Sequence, residues 1–239
     1  MKRLLRAIPA CLLLAATPLF AGKVAVVAVD VGHFREKPGA TSARGVSEFE
    51  FNAALAEEIA QALASAQVRP LLIGADGSMA DLAARAERAK SAGAGFLLSV
   101  HHDSVKPAYF KPWVWHGAIR QYADDFSGFG LFVSRKNAQF GQSLKCASAI
   151  GAKLQQAGFR HSTYHADKVA GEGREWADQA NGVYYYDDLI VLKTAAQPAV
   201  LLEAGVIVNR GEEQALARPE TREKIAHAVK AGLAACGAV

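Results

Sequence analysis

The chain is expected to fold as an α/β protein, a single domain whose twisted, mainly parallel central sheet carries helices on both faces. Short apolar runs rich in β-branched residues recur at 24–29, 68–73, 96–100 and 199–202, the signature of strands buried on both sides. Segments of helical period separate the first three runs. The connections are short, and strand–helix–strand units joined in that way wind into a parallel sheet. A length of 239 residues with 51 % hydrophobic content suits one sizeable core.

The first strand, VAVVAV at 24–29, stops at Asp30. Gly32 lets the backbone turn sharply, so His33 should stand at the carboxyl edge of the sheet. Ser47 is the expected N-cap of a helix in which Phe51, Leu55, Ile59 and Leu63 recur every four residues. Glu48 then falls in the first turn, facing back toward the sheet edge. An imidazole and a carboxylate brought together there supply two of the three protein ligands of a catalytic zinc site.

The second run, VRPLLI at 68–73, reads as an edge strand because Pro70 lacks a ladder donor. A turn at 74–77 leads to Ser78-x-x-Asp81, expected to cap a helix that ends near residue 92 before Gly93 and Gly95. The third strand, 96–100, delivers His101-His102-Asp103 at its end. Residues 104–127 break the rhythm and gather Tyr109, Phe110, Trp113, Trp115, Tyr122 and Phe126. A loop of that length in a compact domain is usually functional; it reads either as the rim of a binding cleft or as a packed surface excursion.

Beyond it, 130–134 is a fourth strand, and 142–157 a helix stopped by Gly158. Residues 159–182 are polar and irregular, with His161 and His165 expected, like His116, to face solvent. The segment 189–192 is short and apolar. The run at 199–202 ends at Glu203, and Pro219 opens the terminal helix from a favoured first-turn position.

Residues 1–21 read as a signal peptide. Lys2, Arg3 and Arg6 precede an apolar stretch closed by Ala21-Gly22, too short and too marked by proline for a membrane span. The mature domain, 22–239, would be exported to the periplasm or the extracellular space as a monomer with no integral membrane segment. Of 27 basic residues, three lie in that segment, leaving 24 against 23 acidic ones. Such a balance offers no electrostatic footprint for nucleic acid. Cys146 and Cys236 remain after cleavage; they read equally as a disulfide or as two buried thiols.

Two histidines, His33 and His101, and two carboxylates, Glu48 and Glu203, thus converge on one sheet edge, where open parallel sheets bind ligands. Zinc hydrolases use three protein ligands and leave a position for water, and two histidines with one glutamate form one such set. A carboxylate outside the ligand set can carry the water's proton to the leaving group.

Read as strings, DVGHFREKPGATSARGVSEFEFN, SVHHDS and PAVLLEAGVIVN resemble, in order and at matching intervals, the zinc-dependent N-acetylmuramoyl-L-alanine amidases of bacterial cell walls, amidase_3 type. The resemblance covers essentially residues 23–236. It implies one zinc ion per chain held by His33, Glu48 and His101, with Glu203 catalytic. It also implies a peptidoglycan substrate cut between N-acetylmuramic acid and L-alanine, a role in wall remodelling or daughter-cell separation, and scope for an activator protein. The chain departs from the family at Val31, Phe34 and Arg35, where proline and two glycines are common, and at Asp103, often asparagine; none is an implied ligand.

Because neighbouring strand residues point to opposite faces, the motif favours His101 over His102 as ligand, and His102 is expected to support or pack. Asp30 is expected either to orient a ligand histidine or to form a turn. Asp103 is a further candidate for the cleft. Glu172, beside Arg174, could cap the zinc in a resting enzyme; an exposed salt bridge is its alternative. Competing functions are a non-catalytic peptidoglycan-binding module on this fold and a zinc peptidase acting within the stem peptide.

Overall fold

The computed structural model of the chain describes residues 24–239; the expected signal segment 1–21 lies outside the described residues. In chain order the elements are β1 (Ala25–Val31), α1 (Glu48–Leu63), β2 (Val68–Ile73), α2 (Leu82–Ser91), β3 (Phe96–Asp103), β4 (Lys111–Trp115), β5 (Ala118–Tyr122) and β6 (Gly130–Val133). There follow α3 (Phe140–Gln156), β7 (Trp176–Asp178), β8 (Val183–Tyr185), α4 (Ile190–Thr194), β9 (Ala199–Val206), α5 (Arg210–Leu216) and α6 (Pro219–Cys236).

Seven strands form one sheet in the order β2-β1-β3-β9-β6-β8-β7. The block β2-β1-β3-β9 is parallel; β6 runs antiparallel to β9, β8 parallel to β6, and β7 antiparallel to β8. Side chains alternate between two apolar layers. Val27, Val29 and Val31 of β1 join the layer covered by α1, α3 and α6, while Ala28 joins the one covered by α2 and α4. Burial on both faces explains why these runs show no polar alternation. Cys146 of α3 and Cys236 of α6 form a disulfide, so the bridged alternative is the one realised. No helix among the described residues is long and apolar enough to cross a membrane.

The chain leaves β1 through α1 to β2, then returns through α2 to β3 on the other side of β1. The carboxyl ends of β1 and β3 therefore border a switch point, the place where open α/β sheets bind ligands.

Four expectations need correction. The second helix begins at Leu82 under an Asp81 cap, whose carboxylate accepts from the amides of Ala83 and Ala84; Ser78 instead bonds Asp76. The 104–127 segment is not a loop throughout: β4 and β5 form an antiparallel hairpin within it. Its two-residue turn puts His116 at φ 48° and Gly117 at φ 78°, the left-handed pair that matches hairpin twist. Val105, Ala123 and Phe126 anchor the hairpin's base to Val206 and Val208 in a third apolar cluster. The final strand runs on to Val206, so Glu203 sits inside β9 rather than at its end. The 159–182 stretch, expected to be irregular, contains β7, which with the following β8 extends the sheet beyond β6.

Candidate metal centre and active site

Glu48 is the first residue of α1. The Ser47 hydroxyl caps the helix by accepting from the Glu50 amide, which fixes where the first turn begins. Glu48 is 5 % exposed, and donors surround its carboxylate. The Ala40 amide bonds Oε2 at 3.0 Å, and the Asn52 side-chain amide reaches Oε1 at 3.2 Å. His33 Nε2 stands 3.0 Å from Oε1 and His101 Nδ1 3.1 Å from it. Burial alone would raise the carboxyl's pKa; the hydrogen bonds from His101 and His33 more than reverse that and hold it well below the usual carboxylate range.

His33 occupies the left-handed region, at φ 67°. Such backbone persists only where its surroundings hold it. The holder is Arg85 of α2, whose guanidinium donates to the carbonyls of Val31, His33 and Met79. Two glycines make room for the rings. A Cβ on Gly32 would lie 2.4 Å from the His101 ring, and one on Gly39 would lie 2.3 Å from the Glu48 carboxylate and 2.7 Å from the His33 ring.

One ligand atom from each of His33, Glu48 and His101 lies within 4.8 Å of the other two. Atoms each about 2.1 Å from one tetrahedral zinc stand roughly 3.4 Å apart, close to the 3.0 and 3.1 Å separations found here. Two imidazoles and one carboxylate also form a donor set used by catalytic zinc. In spacing and in chemistry, these residues fit the ion.

His101 and Glu203 are directly paired across β3 and β9. Glu203 Oε2 is enclosed and meets no hydrogen-bond donor. Burial, reinforced by the nearby carboxylates of Asp103, Glu48 and Glu172, holds the Glu203 pKa well above the ordinary carboxylate value. His101, Glu203, Asp103, His165, Glu172 and Arg174 all line one cleft of about 200 Å³.

The remaining candidates divide. His102 turns away from the cleft, is 2 % exposed, and bonds Asn52 through Nδ1 at 2.8 Å. Burial lowers its pKa to about 3, so the ring is neutral. Asn52 in turn bonds Glu48 and the Gly32 carbonyl, so His102 supports the carboxylate through it. Asp30 neither forms a turn nor bonds a histidine ring. Since β1 continues through Val31, its side chain faces α2, where it meets Arg85 at 2.7 Å and Ser99 at 2.7 Å. Its route to His33 passes through Arg85. Glu172 bonds His165 Nδ1 at 2.9 Å and approaches Arg174 at 3.5 Å, rather than the His33–Glu48–His101 group.

His165 overturns the solvent-facing expectation: it is 4 % exposed and lies between Glu172 and Asp103, the latter 2.7 Å from Nε2. Burial would lower its pKa, but the adjacent carboxylates of Asp103 and Glu172 push it up to about 9. Asp103 also accepts from the Tyr164 hydroxyl. Asn52, Arg85 and His165 escaped sequence reading. Asn52, one helical turn after Glu48, was the one with a readable signal.

A family profile described as N-acetylmuramoyl-L-alanine amidase matches residues 27–235. A curated relative, the probable N-acetylmuramoyl-L-alanine amidase AmiB of Haemophilus influenzae, is 27 % identical over 244 residues, covering 91 % of this chain and 53 % of that protein. The chain thus spans about half the length of the curated relative it matches. Among solved structures, the apo form of Ami1 from Mycobacterium abscessus superposes with a TM-score of 0.69 at 24 % identity, over 90 % of this chain and 99 % of that one. CwlD of Clostridioides difficile, solved in complex with the GerS lipoprotein, gives 0.65 at 21 % identity, over 88 % and 96 %.

Proposed function

The chain belongs to the N-acetylmuramoyl-L-alanine amidases of amidase_3 type, and from that premise we propose that it cleaves the amide joining N-acetylmuramic acid to L-alanine in peptidoglycan. The observation that carries the proposal is the meeting of two imidazoles and a carboxylate within 4.8 Å of one another, with Glu203 paired to His101 beside them.

His33, Glu48 and His101 would hold one zinc ion. Bound there, zinc lowers the pKa of water and polarises a carbonyl oxygen. Glu203 acts as base and then acid: it accepts the attacking water's proton through Oε2 and delivers it to the departing L-alanine nitrogen. Asn52 and the Ala40 amide keep the Glu48 carboxylate oriented. Arg85, neutralised by Asp30, keeps the His33 backbone in its left-handed turn. Residues of β3, β9 and the 165–174 segment line the cleft beside these groups.

Export to the wall compartment belongs to the same proposal, as do action as a monomer and a part in wall remodelling or daughter-cell separation. So does control by an activator protein, supported by the structure of CwlD in complex with the GerS lipoprotein. Digestion of purified peptidoglycan, read by mass spectrometry, tests the reaction. The expected products are free stem peptides beginning at L-alanine, absent with chelator. Cuts inside the stem would instead make the protein a zinc peptidase, and wall binding without cuts a binding module or an enzyme awaiting its activator.

A further inference from the structure

A second cavity, of about 460 Å³, lies between the loop that follows His33 and the β4–β5 hairpin. Ala40, Thr41 and Ser42 form one side, Ser104 another, and Arg120 with Gln121 a third. It adjoins the candidate metal centre: the Ala40 amide is the group that bonds Glu48 Oε2, and Ser104 follows the last residue of β3.

Arg120 differs from the other arginines of this region. Arg44 pairs with Glu213 at 2.5 Å and Arg210 with Asp124 at 2.6 Å. Arg120 has no carboxylate partner among the described residues; its Nε, like that of Arg44, is enclosed with no acceptor. Packing alone holds it in position. Its guanidinium lies against Gly45, where a Cβ would come within 2.5 Å of Cζ. A cation held without a counter-ion, facing a cavity whose lining mixes the hydroxyls of Thr41, Ser42 and Ser104 with the apolar Val105, Pro107, Phe110 and Ile119, has the chemistry of a carboxylate site, which a guanidinium's parallel donors match.

Resting on the amidase proposal, we infer that this cavity receives a free carboxylate of the stem peptide, held by Arg120. The lactyl carboxyl is consumed in the scissile amide, so fixed negative charge near that bond lies on the peptide side. The nearest is the α-carboxylate of the D-glutamate that follows L-alanine, which some walls carry as a neutral carboxamide. The chain would therefore prefer stems with the free acid.

Two synthetic muramoyl tripeptides, identical except for α-carboxylate or α-carboxamide on D-glutamate, test this with the zinc-loaded protein. The acid should show a KM about tenfold lower at equal kcat, the scale of one charge-assisted hydrogen bond. In Arg120→Gln the ratio of the two KM values should fall to about one. Equal KM values in the unsubstituted protein, or an undiminished preference in Arg120→Gln, would overturn the inference. Arg120→Met, closer in apolar volume, covers a glutamine variant that does not fold. If neither peptide is cut, calorimetric binding of the two peptides decides the subsite alone. Acid-selective binding lost on substitution upholds it; equal binding removes it.

Discussion

Both carboxylate oxygens of Glu48 have hydrogen-bond partners, whereas the β4–β5 hairpin leaves Val114 and Ile119 69 % and 76 % exposed as a cross-strand pair. The metal-centre end is locked by a connected set of bonds: Asp30 to Arg85, Arg85 to the His33 carbonyl, His102 to Asn52, and Asn52 to Glu48. The hairpin rests on looser contacts. Arg44 lies over Trp115 at 4.9 Å, Arg210 over Tyr122 at 3.7 Å, and the Trp113 indole donates to the Ala43 carbonyl. Groups that must hold an ion and a proton in register sit on the sheet and first helix, while the surface that would meet a variable polymer is appended to them. Preorganisation is concentrated where the chemistry needs it.

Substitutions should expose that contrast, and the largest effect is expected at Asp30. Asp30→Ala leaves the Arg85 guanidinium, enclosed to 1 % exposure, without its counter-ion. Stability should fall by about 3–5 kcal/mol, read as a lower denaturation midpoint. A loss under 1 kcal/mol would mean that the buried pair does not hold this end together.

A smaller effect should follow pH. The pKa of His165 is raised from 6.5 to about 9 in the folded protein. Its contribution is therefore complete below pH 6.5 and disappears as pH climbs through about 9, amounting to at most about 3 kcal/mol. Melting curves between pH 6 and 10 should show that decline, and His165→Gln should flatten it. A decline that persists in the variant would assign it elsewhere.

Asn52→Ala comes next. Loss of its bond to Glu48 should weaken zinc affinity by about 10–100-fold while the fold survives, as competition with a chromophoric chelator would measure. Unchanged affinity would reduce Asn52 to packing. At the hairpin, Val114→Thr and Ile119→Thr should each alter stability by no more than about 0.5 kcal/mol. A larger change would show that the exposed pair is not free surface.

Much of the locked region was legible because its signals are local. The run at 24–29, the Ser47 cap and the four-residue spacing from Phe51 to Leu63 each specify an element without distant help. The hairpin was missed although KPWVW and AIRQY flank His116-Gly117, a two-residue turn. Proline and crowded aromatics hid the alternation that would have marked it. Asp30 and His165 were misread for another reason. Their partners, Arg85 for one and Asp103 with Glu172 for the other, converge only in the folded chain. Helix α5 is short and carries Gly211, so no period announced it. Glu203 was identified from its motif, but the continuation of β9 to Val206 depends on pairing with Asp103 across a bulge, which no local pattern encodes.

The central claim is that one group of residues holds a metal while a separate, adjacent carboxylate performs proton transfer. Zinc content and peptidoglycan cleavage measured together on Glu48→Ala and Glu203→Gln test it most directly. Glu48→Ala should lose both. Glu203→Gln should keep one equivalent of zinc and lose cleavage by about 10²–10⁴-fold, the range for removal of a general acid–base group. A Glu203→Gln protein that loses its zinc, or one that cleaves at the unsubstituted rate, would contradict that division of labour.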